Sequence, residues 1–209
     1  LTLWRTSCAS ALAARYLAPA DAETLLILGA GELAPFLVRA HASTRPYKRI
    51  VAWNRSNDKA VRMAKALEAD GFDASATEDL DDAVASADTI SAATLSSEPL
   101  IKGSLVKPGT HIDLVGAFTP TMRESDDDCI RRASIFVDTF EGATKEGGDI
   151  VQPLKSGVLT ENDICADLTA LASGDHKGRA SADEITLFKS TGAALEDLAA
   201  AILAAKLAA

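Results

Sequence analysis

The stretch Leu26–Ala34, LILGAGELA, decides the fold. An apolar run stops at Gly29-Ala30-Gly31, and the chain restarts in a helical pattern, with Ala34 as the next small residue. This is Gly-X-Gly-X-X-Ala in the setting that gives it meaning, after a strand and at the head of a helix. The first glycine permits the tight turn, and the second lets a ligand approach the backbone with no Cβ in the way. Ala34 lets helix and strand pack closely. The helix start, including the amides of Glu32 and Leu33, offers unpaired N–H groups and a partial positive charge to phosphates. A plain strand-to-helix turn needing a positive φ would use the same glycine, so the flanking sequence must choose.

Outward from the turn, short apolar runs alternate with helical patterns. Residues 24–28 (TLLIL), 50–53 (IVAW), 89–93 (TISAA), 111–115 (HIDLV) and 134–138 (SIFVD) read as strands, with a weaker one at 73–76. Helices are expected over 32–42, 58–70, 79–87 and 124–133. A first helix runs to about Pro19, where proline stops it. From Ser181 the chain reads as a strand, EITLF, and then a long helix opened by Ser190 and Thr191, with Leu195, Leu198, Ile202 and Leu203 on one face. This alternation predicts an α/β fold, a Rossmann-type, doubly wound, mostly parallel sheet with helices on both faces. TLLIL is apolar on both sides, as a strand covered on both faces must be. With a second βα unit beside the glycine turn, a dinucleotide is the expected ligand.

Composition narrows the partners. The 209 residues are 47% hydrophobic and 24% charged, with a net charge of −9. No basic stripe of the kind that grips nucleic acid is present. No apolar run approaches the ~20 residues that span a bilayer, so no membrane partner is expected. Cys8, Cys129 and Cys165 are odd in number and far apart, which suits three reduced thiols in a cytoplasmic protein. His41 (placed on a helix surface), His111 and His176 do not cluster with cysteines or acids at metal spacing, and no metal is expected. The run Asp126-Asp127-Asp128 lacks the glycine and terminal glutamate of a Ca²⁺ loop. The opening LTLWRTSCASALAARYLA begins on Leu1 and reads as the middle of a helix, so a preceding segment is expected.

The end of the second strand chooses the dinucleotide. An NAD site usually carries an acid there to accept from the ribose 2′-OH. This chain has Asn54-Arg55-Ser56. A carboxylate would repel a 2′-phosphate, whereas arginine can pair with it bidentately. NADP(H) is therefore the expected cofactor, with NAD as the alternative.

Several segments together make the chain resemble the ornithine cyclodeaminase/μ-crystallin family: LTLWRTSCASALAARYL, LGAGELA, VAWNRS, SAATLSSEPL, KPGTHIDLVGAFTPTMRE and ADEITLFKSTGAALEDLAAA. The resemblance implies that residues 1–20 connect to a substrate and dimerisation domain that precedes this chain. Residues 21–189 would be the dinucleotide-binding domain, and 190–209 a helix packing back toward the other domain. Cyclodeaminases carry a loop like G-G-D-C-P-G-K, whose aspartate works on the substrate amine. Aligning Gly116 and Pro120 puts Phe118 at that aspartate and Met122 at that lysine. A phenyl ring can neither accept a proton nor offer an ammonium a carboxylate's charge. The VGAF-TP-MRE form resembles the branch of 1-pyrroline-2-carboxylate and 1-piperideine-2-carboxylate reductases.

By this resemblance Arg5 contacts the substrate carboxylate, and Thr191 touches substrate and nicotinamide together with Ser190. Thr94, Asp113, Leu114, Val115 and Gly116 line the cofactor alongside Gly29, Gly31, Glu32, Leu33, Asn54, Arg55 and Ser56. Ser190 and Thr191 could equally cap a helix, and Asp113 could satisfy loop amides. The expected activity is NADPH-dependent reduction of a small cyclic 2-imino acid to proline or pipecolate by a homodimer. The family's protonating lysine belongs to the preceding domain, and no lysine of this chain is assigned that role. Three alternatives stand beside this reading: an NAD-dependent ornithine cyclodeaminase, an alanine or opine-type dehydrogenase, and a non-enzymatic crystallin-like binder.

Overall fold

The structure, a computed structural model, describes residues 1–208. They form one eight-stranded, all-parallel sheet. In chain order its strands are β1 (Thr24–Leu28), β2 (Arg49–Trp53), β3 (Ala74–Ala76), β4 (Thr89–Ala92), β5 (His111–Leu114), β6 (Ala133–Val137), β7 (Ile164–Asp167) and β8 (Ile185–Lys189). Their spatial order is β3-β2-β1-β4-β5-β8-β6-β7. The order reverses at β1, which lies between β2 and β4. Open α/β sheets bind ligands at such a reversal, outside the carboxyl ends of the strands.

The helices are α1 (Thr2–Leu17), α2 (Ala34–Thr44), α3 (Asn57–Ala69), α4 (Leu80–Ser86), α5 (Asp127–Arg132), α6 (Phe140–Lys145), α7 (Gly148–Ser156), α8 (Leu168–Ser173) and α9 (Ala194–Ala208). Successive β1 side chains point to opposite faces. Leu25 and Ile27 join the core beneath α2 and α3, while Leu26 and Leu28 join the larger core on the other face. Both sets are fully buried. Helix α1 uses Ala9, Ala13 and Leu17 to pack against Phe136 and Phe188 of the sheet, and its Trp4 meets Phe36 of α2 edge to face at 4.9 Å.

The expected elements are all present except that 124–133 is helical only from Asp127. Residues before it bend without forming a helix, because the backbone amides of Glu124 and Ser125 bind Asp149 instead of continuing a helix. Ser190 and Thr191 do not open the last helix. They lie in a loop between β8 and α9, Ser190 tied to the Leu114 carbonyl and Thr191 to Asp138. His41 is not on a surface but fully buried, 3.2 Å from Asp113. Sequence reading missed β7 and helices α6 to α8. Each helix is short, at six to nine residues, which leaves little periodicity to detect. No helix among the described residues is long and apolar enough to cross a membrane. The expected 190–209 segment ends on residue 209, outside the described residues.

Candidate active site

Strand register builds the site. Trp53 pairs with Leu28, Leu28 with Ala92, Ala92 with Leu114, Leu114 with Lys189, and Lys189 with Val137. Five parallel pairings therefore end in one row. The residues just beyond that row are Asn54, Gly29, Ala93, Val115, Ser190 and Asp138. Segments from across the whole chain thus meet along one sheet edge.

At one end of the row is the glycine turn. Gly29 has φ +101°, and a Cβ there would lie 2.6 Å from the Ala93 carbonyl oxygen, so both conformation and space demand glycine. A Cβ on Gly31 would meet nothing within 4 Å, because that residue borders open cleft. Asn54 Oδ1 accepts from the Ala30 amide at 3.2 Å, and its Nδ2 donates to the Ser56 carbonyl at 3.0 Å. Asn54 therefore braces the turn while also lining the cleft beside it. Among the described residues the amides of Gly31, Glu32 and Leu33 have no acceptor. No acid occupies the first turn of α2, so its start is open to an anion. Arg55, Ser56 and Lys59 line the same cavity, of about 340 Å³, with the glycine turn and Thr94. Sequence reading missed Lys59, whose place in the first turn of α3 brings a second cation there.

A second cavity, of about 300 Å³, shares Ala93, Thr94 and Leu95 with the first. Arg5, Thr6, Leu33, Val115, Gly116, Phe118, Ser190, Thr191 and Gly192 complete its lining. Arg5 comes from α1, where Nη1 and Nε lie 3.1 Å from Glu196 and Asp197 of α9. Gly192 has φ +94°, and a Cβ there would lie 2.5 Å from Arg5 Nη1, so this glycine makes room for the guanidinium. Thr191 donates through its amide to Asp138 Oδ2 at 2.6 Å, with its hydroxyl at 3.2 Å from Oδ1. The Gly192 amide reaches the same carboxylate, also at 2.6 Å. The Thr191 hydroxyl is thus held by Asp138. A carboxylate directly after a strand, at its ligand-binding end, was the signal that could have marked Asp138.

Two expected contacts are corrected. Asp113 is fully buried; its Oδ2 accepts from Ser91 Oγ at 2.6 Å and lies by His41, so its side chain cannot reach a ribose. Leu114 puts its side chain into the core, and its carbonyl is taken by Ser190 and Lys189. Alternation explains both: they are strand residues, and only the next positions, Val115 and Gly116, emerge at the edge.

Beneath the second cavity lie three buried ionisable groups that sequence reading did not single out. Glu124 Oε1 accepts from both the amide and the hydroxyl of Thr94 at 2.7 Å. Lys189 Nζ donates to the carbonyls of Leu114 and Gly116. Asp149 Oδ1 accepts the amides of Glu124 and Ser125 at 2.9 Å. Burial first, and the Asp149 charge next, push the Glu124 carboxyl up to about 7, with Lys189 opposing. Nearby Ala117 holds φ +45°, unusual for a residue with a Cβ, and its carbonyl is fixed by the Gly148 amide at 3.0 Å. Among the described residues no cluster of histidine, cysteine and acidic groups could hold a metal ion.

The ornithine cyclodeaminase/mu-crystallin family model matches residues 1–206. A Δ1-pyrroline-2-carboxylate reductase of Paracoccus denitrificans is 40% identical over 199 residues, covering 95% of this chain and 63% of its own. The ketimine reductase mu-crystallin of Rattus norvegicus is 37% identical over 203 residues, covering 97% and 61%. Among solved structures, that of the Thermococcus litoralis Δ1-pyrroline-2-carboxylate reductase in complex with NADH and L-proline is similar, with a TM-score of 0.94. It is 36% identical and covers 97% of this chain and 63% of that one. The chain spans 61 to 63% of the length of these two curated relatives.

Proposed function

Because the chain belongs to the ornithine cyclodeaminase/mu-crystallin family, we propose that it carries the cofactor side of an NADPH-dependent ketimine reductase. The protein would reduce 1-pyrroline-2-carboxylate or 1-piperideine-2-carboxylate to L-proline or L-pipecolate. The observation that carries this reading is the charge of the second cavity. Arg5 is the one charged group among its described lining residues, and half-exposed Phe118 stands where a deaminating cyclase would need an acid. The relatives named above are reductases of this kind and point the same way.

The residues present fit a nicotinamide dinucleotide. Three unpartnered amides at the head of α2 suit a diphosphate, and the open space at Gly31 lets it come close. When bound, the cofactor supplies a hydride from its reduced ring. The chain's own contribution is placement. Arg55, Ser56 and Lys59 would surround a 2′-phosphate, and among the described residues no carboxylate lines that cavity to repel it. That favours NADP(H), although the Thermococcus relative holds NADH. Thr94, Val115, Gly116 and Ser190 shape a floor that would carry ring and substrate. Arg5 offers a planar cation to the substrate carboxylate, its orientation fixed by Glu196 and Asp197. Lys189 lies beneath the floor with protons committed to carbonyls, so it orients and does not protonate the imine.

The same reading places the protein in the cytoplasm as a homodimer acting in proline and related amino-acid metabolism. An apolar groove of about 540 Å³ between α1 and α9, bordered by Leu1, Trp4, Leu12, Leu203 and Leu207, supports an interface on this side. Leu195, Leu198 and Ile202 of α9 are exposed and support it as well. The test is NADPH oxidation by the full-length protein with both cyclic imines, with ornithine, and with pyruvate plus ammonia. Turnover with a cyclic imine is expected. Ammonia release from ornithine without net cofactor use would contradict the reading.

A further inference from the structure

The buried groups below the cleft touch neither substrate nor cofactor in the reading above, yet they are costly to keep there. Glu124, Asp149 and Lys189 are all fully buried. Two carboxylates against one ammonium leave an excess negative charge if all three ionise, and uncompensated charge in an interior is expensive. An apolar trio would fill the same space at lower cost, so the contacts these groups make need a reason.

Those contacts converge on two turns. Lys189 Nζ donates to Leu114 O at 3.2 Å and to Gly116 O, and Asp149 Oδ2 lies 3.8 Å away. An ammonium has three protons; two are given to these carbonyls, and the Asp149 carboxylate stands beside the ammonium as an ion pair rather than a hydrogen-bond acceptor. Strand pairing has ended at Leu114, so no sheet amide is left to hold the Gly116 carbonyl. Glu124 Oε1 takes both the amide and the hydroxyl of Thr94. Asp149 takes the Glu124 and Ser125 amides, which turns the chain so that the Glu124 side chain faces Thr94. The two turns are also pressed together, since a Cβ on Gly116 would lie 2.3 Å from Thr94 O and 2.4 Å from Glu124 Oε1.

We infer that Glu124 and Lys189 are positioning residues for hydride transfer: Glu124 fixes the Thr94 turn, Lys189 fixes the Leu114–Gly116 turn, and Asp149 joins them into one rigid floor. The inference rests on reading the cleft as a reductase site, but the network itself can be tested without substrate. A proton held on Glu124 balances the trio, in keeping with its carboxyl being raised to about 7. The charged groups facing it are Asp149 from α7 and Lys189 from β8, while the β4 side presents only the Thr94 hydroxyl and amide. Its neighbour Arg123 turns away to the Ser125 carbonyl and Asp127.

The decisive experiment joins infrared spectroscopy of the ligand-free full-length protein to steady-state kinetics. A protonated-carboxyl C=O band should titrate near neutral pH and vanish in Glu124→Gln. Removing the neighbouring negative charge with Asp149→Asn should move that titration to lower pH, and removing the positive charge with Lys189→Met should move it higher. Glu124→Leu should lower kcat on the order of 10- to 100-fold, the scale of an ångström-sized misplacement, with the KM for NADPH changed less than about threefold. Glu124→Gln keeps an acceptor for Thr94 and should restore most of the loss. Equal kcat in the Leu and Gln variants, or a carboxyl band indifferent to both charge removals, would overturn the inference. If Lys189→Met does not fold, the Asp149→Asn shift decides the charge arm. A wild-type protein that reduces no imine would refute the functional reading instead, leaving the infrared result to judge the network.

Discussion

The glycine turn at 29–33 and the floor at Thr94, Val115 and Gly116 sit side by side on one sheet edge, yet different bonds hold them. The turn is local. Its shape comes from a single glycine φ and the start of the next helix, with Asn54, 24 residues from Ala30, as its side-chain tie. The floor is assembled from afar. Thr94 is held by Glu124, 30 residues on, and the Gly116 carbonyl by Lys189, 73 residues on. A binding feature made by backbone conformation can be carried by a short motif. One made by buried side-chain charge needs the whole sheet to bring its parts together.

Substitutions can break this contrast in order of force. Gly29→Ala should do the most, because the new Cβ meets the Ala93 carbonyl and the positive φ adds strain of about 1–3 kcal/mol. NADPH affinity measured by fluorescence titration should fall on the order of 100-fold, with a lowered Tm. Gly31→Ala opens onto empty cleft, so it should weaken NADPH binding while leaving Tm unchanged. Gly192→Ala acts at the other end by displacing Arg5. It should raise the KM for the imino acid roughly 10- to 100-fold, the worth of a hydrogen bond to a charged group, and spare NADPH affinity.

Smaller effects sharpen the comparison. Arg55→Ala should raise the KM for NADPH about 10-fold and leave NADH nearly untouched, with Lys59→Ala acting in the same direction. A control lies at the opposite, amino edge of the sheet. His111 is buried, and desolvation holds its imidazole down at about 3, with Asp113 opposing. Because its folded value lies below the ordinary 6.5, it contributes stability above that pH which is lost as pH falls toward 3. His111→Asn should flatten that acid limb in thermal melts and leave both ends of the cleft unchanged.

The sequence shows the local half plainly. LILGAGELA, the alternating strands and the place of Arg55 beside the glycine-turn cavity are legible because each signal lies within a few residues. Phe118 is legible as well, through its place in the VGAFTP loop, and the structure puts it at the cleft. Asp113 misled because a polar residue near a strand end resembles a ligand contact, whereas strand alternation turns it inward to Ser91 and His41. Glu124, Asp149 and Lys189 gave no usable spacing, since only the β5-β8 pairing and the turn before α5 unite them. Helices α6 to α8 were hidden by their brevity, and Pro153 inside α7 disguises that helix further.

The central claim is that both halves of the edge clasp one dinucleotide. Amide hydrogen exchange, followed residue by residue with and without saturating NADPH, tests it most directly. Slowed exchange is expected together at Gly31–Leu33 and at Thr94, Val115, Gly116 and Ser190. Protection confined to the glycine turn, with the second group exchanging as in the free protein, would contradict it.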